Sequence, residues 1–313
     1  MDISITWNCS ISMSIEAFQS VSVPLSLVSM LMDIVFVFCM VFPQQGQPRM
    51  KQPLNLLVGS LVGCNTALHV CTLLFVVSDF IYSPSNVNSV IFYDVAAEVL
   101  LFTMRTSVTS SLWLTVFYYC QIVPAQRSFF IWLKKNIRLF IYAALVLDKF
   151  FFLFAFIVYI WHYIEIDLSK PKTFALSYAV NINFWLRLVY FLLSLCVMLT
   201  SSCATVLYLR RHMKNMEESS RSSPHLHSQM RVTITGIVQT LLYFLCSVWL
   251  IISDSAFELT NSYFDADHYV LCTVISLYSF GTNINLGVGQ SIFRERIVLV
   301  CQKVCEIVHA LLH

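Results

Sequence analysis

Residues 183–214 read NFWLRLVYFLLSLCVMLTSSCATVLYLRRHMK, an apolar run from Asn183 to Leu209 closed by the cations Arg210, Arg211 and Lys214. About 20 helical residues cross the ~30 Å of hydrocarbon in a bilayer, so the run is long enough to span one. The cations behind it resist translocation and mark the side that stays cytoplasmic. The same unit recurs along the chain. The sequence predicts spans over about Val21–Phe42, Leu54–Ser78, Asp94–Ile122, Ile137–Trp161, Asn183–Leu209, Val232–Ser253 and His268–Gln290.

Basic residues fall in alternate gaps between these spans. Arg49 and Lys51 occupy the first gap, and Arg127, Lys134, Lys135 and Arg138 the third. Arg210, Arg211, Lys214, Arg221 and Arg231 occupy the fifth, and Arg294, Arg296 and Lys303 the tail. The second and sixth gaps hold acids: Asp79 and Asp94, then Asp254, Glu258, Asp265 and Asp267. Only the fourth mixes signs, with Glu165, Asp167, Lys170 and Lys172. The alternation predicts an all-α integral membrane protein of seven spans, N-terminus outside and C-terminus inside.

Composition agrees. Hydrophobic residues make up 58% and charged residues 12% of the chain, with a mean hydropathy of +0.74; soluble domains carry about 25% charged residues. Met1–Glu16 lacks the basic start of a cleaved signal peptide, which makes the first span an uncleaved anchor. The longest polar stretch, 210–231, is far short of the ~50 residues of a separate domain. The chain therefore reads as one domain over 1–313, and any activity belongs to the bundle and its loops. No Gly-rich phosphate loop, catalytic triad order or paired-carboxylate motif occurs, so an enzyme is not expected. His225-Leu226-His227 lacks a third ligand, and no metal ion, cofactor or nucleic acid is implied. Asn8-Cys9-Ser10 matches the glycosylation acceptor pattern on the expected outer side. A Cys9–Cys272 bridge and two free thiols both remain open.

Ionisable side chains inside hydrocarbon need a reason, since insertion scales charge each about 2.5–3.5 kcal/mol. Asp33, Glu98, Arg105, Asp148, Lys149 and Arg187 all fall within spans. Glu98 and Arg105 are two turns apart on one face of the third span. They suit either an internal ion pair or the wall of a polar pocket; Asp148-Lys149 suits a structural or snorkelling role. The aromatic part of the sixth span (Tyr243, Phe244, Ser247, Trp249) and one face of the seventh (Tyr269, Cys272, Thr273, Ser276) would complete a cavity with apolar walls and few polar anchors. The inner basic residues suit lipid head groups, an intracellular partner, or both.

Several segments carry a resemblance. Leu114-Thr115-Val116-Phe117-Tyr118-Tyr119-Cys120-Gln121-Ile122, followed by Phe130-Ile131-Trp132-Leu133-Lys134, resembles the third helix and following loop of bitter taste receptors, the type 2 taste receptor family. His212-Met213-Lys214-Asn215-Met216 resembles that family's His-Thr-Lys-Gln-Met, and Val288–Arg294 is a looser echo of its seventh-helix end. No cysteine lies between Asp79 and Tyr119 or between Trp161 and Arg187, so the outer disulfide of rhodopsin-like receptors has no partners. Departures mark a divergent branch. Tyr208-Leu209 replaces a Ser-Leu pair, Asn65 stands where the family has an arginine, and Thr282-Asn283 stands for its His-Ser. Asp33, Asn65, Asn283 and Asn285 are candidates for a substitute polar network.

The resemblance implies a G-protein-coupled receptor of the plasma membrane, activated by bitter small molecules and acting on a gustducin- or Gi-like heterotrimeric G protein. It directs attention to Glu98, Leu101, Met104 and Arg105 in the third helix as ligand contacts. Tyr243, Phe244, Ser247, Tyr269 and Cys272 would complete the wall. Gln121, Arg127, Lys134, Arg210, His212, Lys214, Arg231 and Arg294 would face the G protein, and membrane lipid would surround the bundle. The competing readings are a type 1 vomeronasal-like pheromone receptor and, from a different class, a small transporter using Glu98, Arg105 and Asp33 as a polar pathway.

Overall fold

The computed structural model describes residues 11–42, 52–81, 87–124, 128–167, 174–217, 224–260, 265 and 267–312. Eight helices form among them: α1 (Ile15–Val41), α2 (Leu54–Ile81), α3 (Val87–Ile122), α4 (Ser128–Asp167), α5 (Phe174–Glu217), α6 (Pro224–Thr260), α7 (Tyr269–Gly289) and α8 (Ser291–Leu312). Seven carry segments long and apolar enough to cross a membrane, the first six within Ile15–Val41, Leu54–Ser78, Val95–Ile122, Phe130–Val158, Tyr178–Lys214 and Met230–Ser253, the last being α7 itself. No strand occurs among the described residues. The chain is a multi-pass membrane protein of seven spans.

The packing inverts the rule of soluble proteins. Lipid tails are as apolar as leucine, so burying leucine between spans gains little. Close packing and interhelical hydrogen bonds hold the helices instead. In α1, Ser22, Ser26, Ser29 and Asp33 recur every three or four residues and are buried, while Leu31 and Ile34 are over 60% exposed, at 63% and 61%. The Ser14 side chain caps this helix by accepting from the Ala17 N–H at 3.3 Å.

Helix α3 is the axis of the bundle, touching α2, α4, α5, α6 and α7. It tolerates that position because its hydroxyls are satisfied by its own backbone. Thr103 donates to the Val99 carbonyl at 2.7 Å, Thr106 to Phe102 at 3.0 Å and Thr115 to Ser111 at 3.0 Å. Around it, Phe18, Leu68, Phe75, Leu100, Met104 and Ile275 form the apolar core of the half away from α8. Phe36, Val58, Leu61, Leu286 and Phe293 form a second core near α8.

The first six helices run beyond the expected spans. Helix α3 starts at Val87 rather than near Asp94, α4 covers Ser128–Asp167, and α5 and α6 extend to Glu217 and back to Pro224. The expected loop over 210–231 is thus mostly helical. Hydropathy reports where a helix lies in hydrocarbon, and the polar ends 210–217 of α5 and 224–231 of α6 project past it. Helix α8 was not expected at all. Gln290, extended at φ −87° and ψ 120°, ends α7 and starts the new direction. Phe293 then stacks on Phe36 at 4.5 Å, and Arg296 donates to the Phe42 carbonyl at 2.6 Å. At the other end of α7, the Asp265 carboxyl accepts from the Leu271 N–H at 2.8 Å.

Candidate functional site

In the half of the bundle away from α8, four helices enclose a cavity of about 70 Å³. Met104, Arg105 and Val108 of α3 form one wall and Phe152 of α4 the next. Phe184, Arg187, Tyr190 and Phe191 of α5 and Tyr243, Ser247 and Leu250 of α6 close it. The Arg105 guanidinium lies over the Phe152 ring, 5.8 Å from its centroid, a contact worth up to ~2 kcal/mol once water is excluded. The walls are fixed by tyrosines. Thr109 and Tyr190 share a hydroxyl–hydroxyl bond, and Tyr243 donates to the Phe191 carbonyl at 3.4 Å while its ring meets Phe191 edge-on. Asp148 is buried beside the Thr109–Tyr190 pair, and its neighbour Lys149 is exposed on the lipid side.

This arrangement offers apolar surface, two cations and a few hydroxyls. It suits an organic molecule carrying an anionic or hydrogen-bond-accepting group. At its present volume the cavity takes a few waters, whereas drug-sized ligands need about 300 Å³ or more. Occupation therefore requires wall residues to move, and Met104 is the most adaptable of them.

Of the nine sequence-predicted ligand residues, Met104, Arg105, Tyr243 and Ser247 line the cavity. Glu98 is buried on α3 two turns beyond Arg105 and does not line it. Leu101 belongs to the apolar core. Tyr269 stacks on Phe18 of α1 at 4.7 Å and meets Phe75 of α2 edge-on, and Cys272 is wholly buried in that same core. Phe244 is 42% exposed on the outer, lipid side of α6. The wall expected from α7 is thus turned toward α1 and α2, because α7 packs against both. Periodicity defines a helix face but not the neighbour it meets. Phe152, Phe184 and Tyr190 were not anticipated; Arg187, a cation within a span, was the one available signal on α5.

A second, smaller cavity of about 50 Å³ lies toward α8, between α3, α5, α6 and α7. Gln239 of α6 organises it. Its Nε2 donates to Thr282 at 3.0 Å, Tyr278 at 3.2 Å and Ser111 at 3.3 Å. Two hydrogens serve three acceptors, so the longest bond is shared. Its Oε1 accepts from Asn285 at 3.1 Å, and Asn285 also donates to the Thr235 carbonyl at 2.7 Å. Gly289 permits this close approach, since a Cβ there would come 2.9 Å from Thr235 Oγ1. Gln290 donates to the Tyr118 hydroxyl. Gln239 was missed, although it is the lone amide in the predicted sixth span.

The substitute network forms in part. Asn65 donates to Asn283 at 2.7 Å and accepts from Ser107 at 3.0 Å, tying α2, α7 and α3. Thr66 donates to Asp33 at 3.1 Å, and Asp33 also faces Asn283. Asn285 belongs instead to the Gln239 relay.

At the α8 end, Gln121, Lys134, Arg210, His212 and Lys214 are exposed, while Arg231 and Arg294 are half-buried. Arg127, Asn8 and Cys9 lie outside the described residues, as do the side chains of His225 and His227. Among the described residues no cluster of His, Cys, Asp and Glu could hold a metal ion. No curated protein matches the chain. A family model described as taste receptor protein (TAS2R) matches residues 10–304.

Proposed function

Because the chain belongs to the taste receptor protein family, whose members are chemosensors of G-protein-coupled type, we propose that it detects bitter small molecules at the plasma membrane and activates a gustducin- or Gi-like heterotrimeric G protein. The N-terminus lies outside and the α8 end inside, as the positions of the basic residues indicate. The observation that carries the ligand assignment is the cavity in which Met104 and Arg105 of α3 meet Arg187 of α5 and Tyr243 and Ser247 of α6. Arg105 and Arg187 receive the polar group of the ligand, while Phe152, Phe184 and Met104 take its apolar body.

Agonist entry widens this narrow cavity and thereby selects conformations in which α5 and α6 have moved relative to α3. The energy available for that shift is the difference in agonist affinity between the two states. The Gln239 and Asn65 relays hold α3, α6 and α7 together in the described state, so they are the contacts the shift must loosen. Exposed Gln121, Lys134, Arg210, His212 and Lys214 present the G protein with a basic inner face.

Calcium imaging of cells expressing the chain with a gustducin-like G protein, against a panel of bitter compounds, tests the assignment. A response that requires the G protein is expected. Arg105→Ala is expected to shift agonist potency about tenfold, the effect of one lost charged contact, at unchanged surface expression. Unaltered dose–response curves across the panel would remove Arg105 from the site.

A further inference from the structure

Beside the seventh span, an open groove of about 480 Å³ is lined by Met32 of α1, Arg231 of α6, Ile284, Gly287 and Val288 of α7, and Arg294, Ile297 and Val298 of α8. It is larger than the two cavities described above. Ile284, Val288 and Val298 are 44–49% exposed, at 44%, 49% and 49%, so its apolar wall is continuous with the lipid-facing surface of the bundle. Its two cations sit at one level of the membrane. Arg231 is the second residue of the sixth apolar segment, Met230–Ser253, and Arg294 lies just past the end of the seventh, Tyr269–Gly289.

The neighbouring cation of α8 is already used: Arg296 holds the Phe42 carbonyl and lies over the Phe38 ring at 6.0 Å. Arg294 and Arg231 are different. Among the described residues no ion pair engages either guanidinium, and both are half-buried in the groove. Two cations at head-group depth, above an apolar channel that opens into hydrocarbon, match a molecule with an anionic head and an acyl tail. A G protein approaches the end of the bundle, whereas this groove faces its flank.

We propose that the α1–α7–α8 groove is a binding site for one anionic phospholipid of the inner leaflet, its phosphate held between Arg231 and Arg294 and an acyl chain lying along Ile284 and Val288. The site rests on the receptor reading only for the choice of leaflet. A lipid seated there bridges α6 to α8, so it favours the arrangement in which those helices are together.

The test is native mass spectrometry of the purified full chain, released from bilayers that mix phosphatidylcholine with phosphatidylserine or phosphatidylinositol bisphosphate. Retention of anionic lipid over phosphatidylcholine is expected. Each guanidinium near the surface contributes about 1 kcal/mol, so the Arg231→Gln/Arg294→Gln double variant should lose the preference roughly tenfold to thirtyfold. Each single variant should lose about fivefold, which keeps the test usable should the double variant unfold. Lys135→Gln/Arg138→Gln, which removes exposed cations elsewhere at the same end, should retain the preference. Equal retention by the single Arg variants and the wild type would overturn the site. So would equal loss in the Lys135/Arg138 variant, and displacement of the lipid by inorganic phosphate at matched concentration would make free phosphate the ligand instead. Binding is read without tastant or G protein, so failure here leaves the receptor reading standing, and a silent calcium assay leaves the lipid site standing.

Discussion

Gln239 shows how much one amide can do where water is absent. It joins α6 to Ser111 of α3 and to Tyr278, Thr282 and Asn285 of α7. Hydrogen bonds between spans average about 0.6 kcal/mol, so a residue making several is worth roughly 1–3 kcal/mol. Gln239→Leu is expected to lower the thermal midpoint of the detergent-solubilised protein and to raise ligand-independent signalling severalfold. A variant with wild-type midpoint and basal signal would show that the relay does not hold the resting state. Asp265 gives a prediction of another kind. It lies outside the spans, and burial pushes its carboxyl above the usual range, opposed by the Leu271 N–H and by His268. The folded protein therefore binds this proton more tightly than the unfolded chain. Stability from this group is present below about pH 4 and lost as pH rises through the raised value. Asp265→Asn should flatten that decline in a pH series of melting curves; an unchanged slope would assign it to other groups. At this scale the sequence was partly legible. Ionisable residues in hydrocarbon, such as Arg105, Arg187 and Asp33, announce themselves by their cost. Phe152 and Tyr190 do not, because an aromatic residue in a span is equally suited to lipid, core or cavity.

The helices themselves were readable wherever hydrocarbon imposes a length, and unreadable beyond it. Spans such as Leu54–Ser78 coincide with the observed segment, whereas the polar ends of α4, α5 and α6 carry no hydropathy signal. Helix α8 is the clearest case. Its apolar positions Ile292, Phe293 and Ile297 make one face of an amphipathic helix, but they are interrupted by Arg294, Glu295 and Arg296 and follow a span directly. What fixes it is tertiary: Phe293 is fully buried against Phe36, and Arg296 ends on the Phe42 carbonyl. Phe293→Ala removes dispersion contacts in a setting with little hydrophobic gain, at an expected cost of about 1–3 kcal/mol. Hydrogen exchange should then speed up at backbone amides 292–299 while 270–285 stay protected. Equal protection of both segments in the variant would show that α8 is held by the bilayer rather than by α1.

For the whole molecule, the lengths of the apolar runs predicted the seven spans, and the family match over 10–304 agrees with the resemblance carried by Leu114–Ile122 and His212–Met216. What the sequence could not supply is rotation, meaning which face of α7 meets which neighbour. For that reason Tyr269 and Cys272 were expected beside the cavity, but Tyr269 packs against Phe18 of α1 and Phe75 of α2, and Cys272 lies buried in the core. The same bundle chemistry, polar residues gathered inside and large aliphatics outside, would also serve a transporter. The measurement that separates the two most directly is nucleotide exchange on a purified gustducin-like heterotrimer, added to the chain reconstituted in bilayers with a bitter agonist. The account predicts that the agonist accelerates exchange, with the basic α8 end facing the G protein. Uptake of the compound into sealed vesicles with no acceleration of exchange would contradict it.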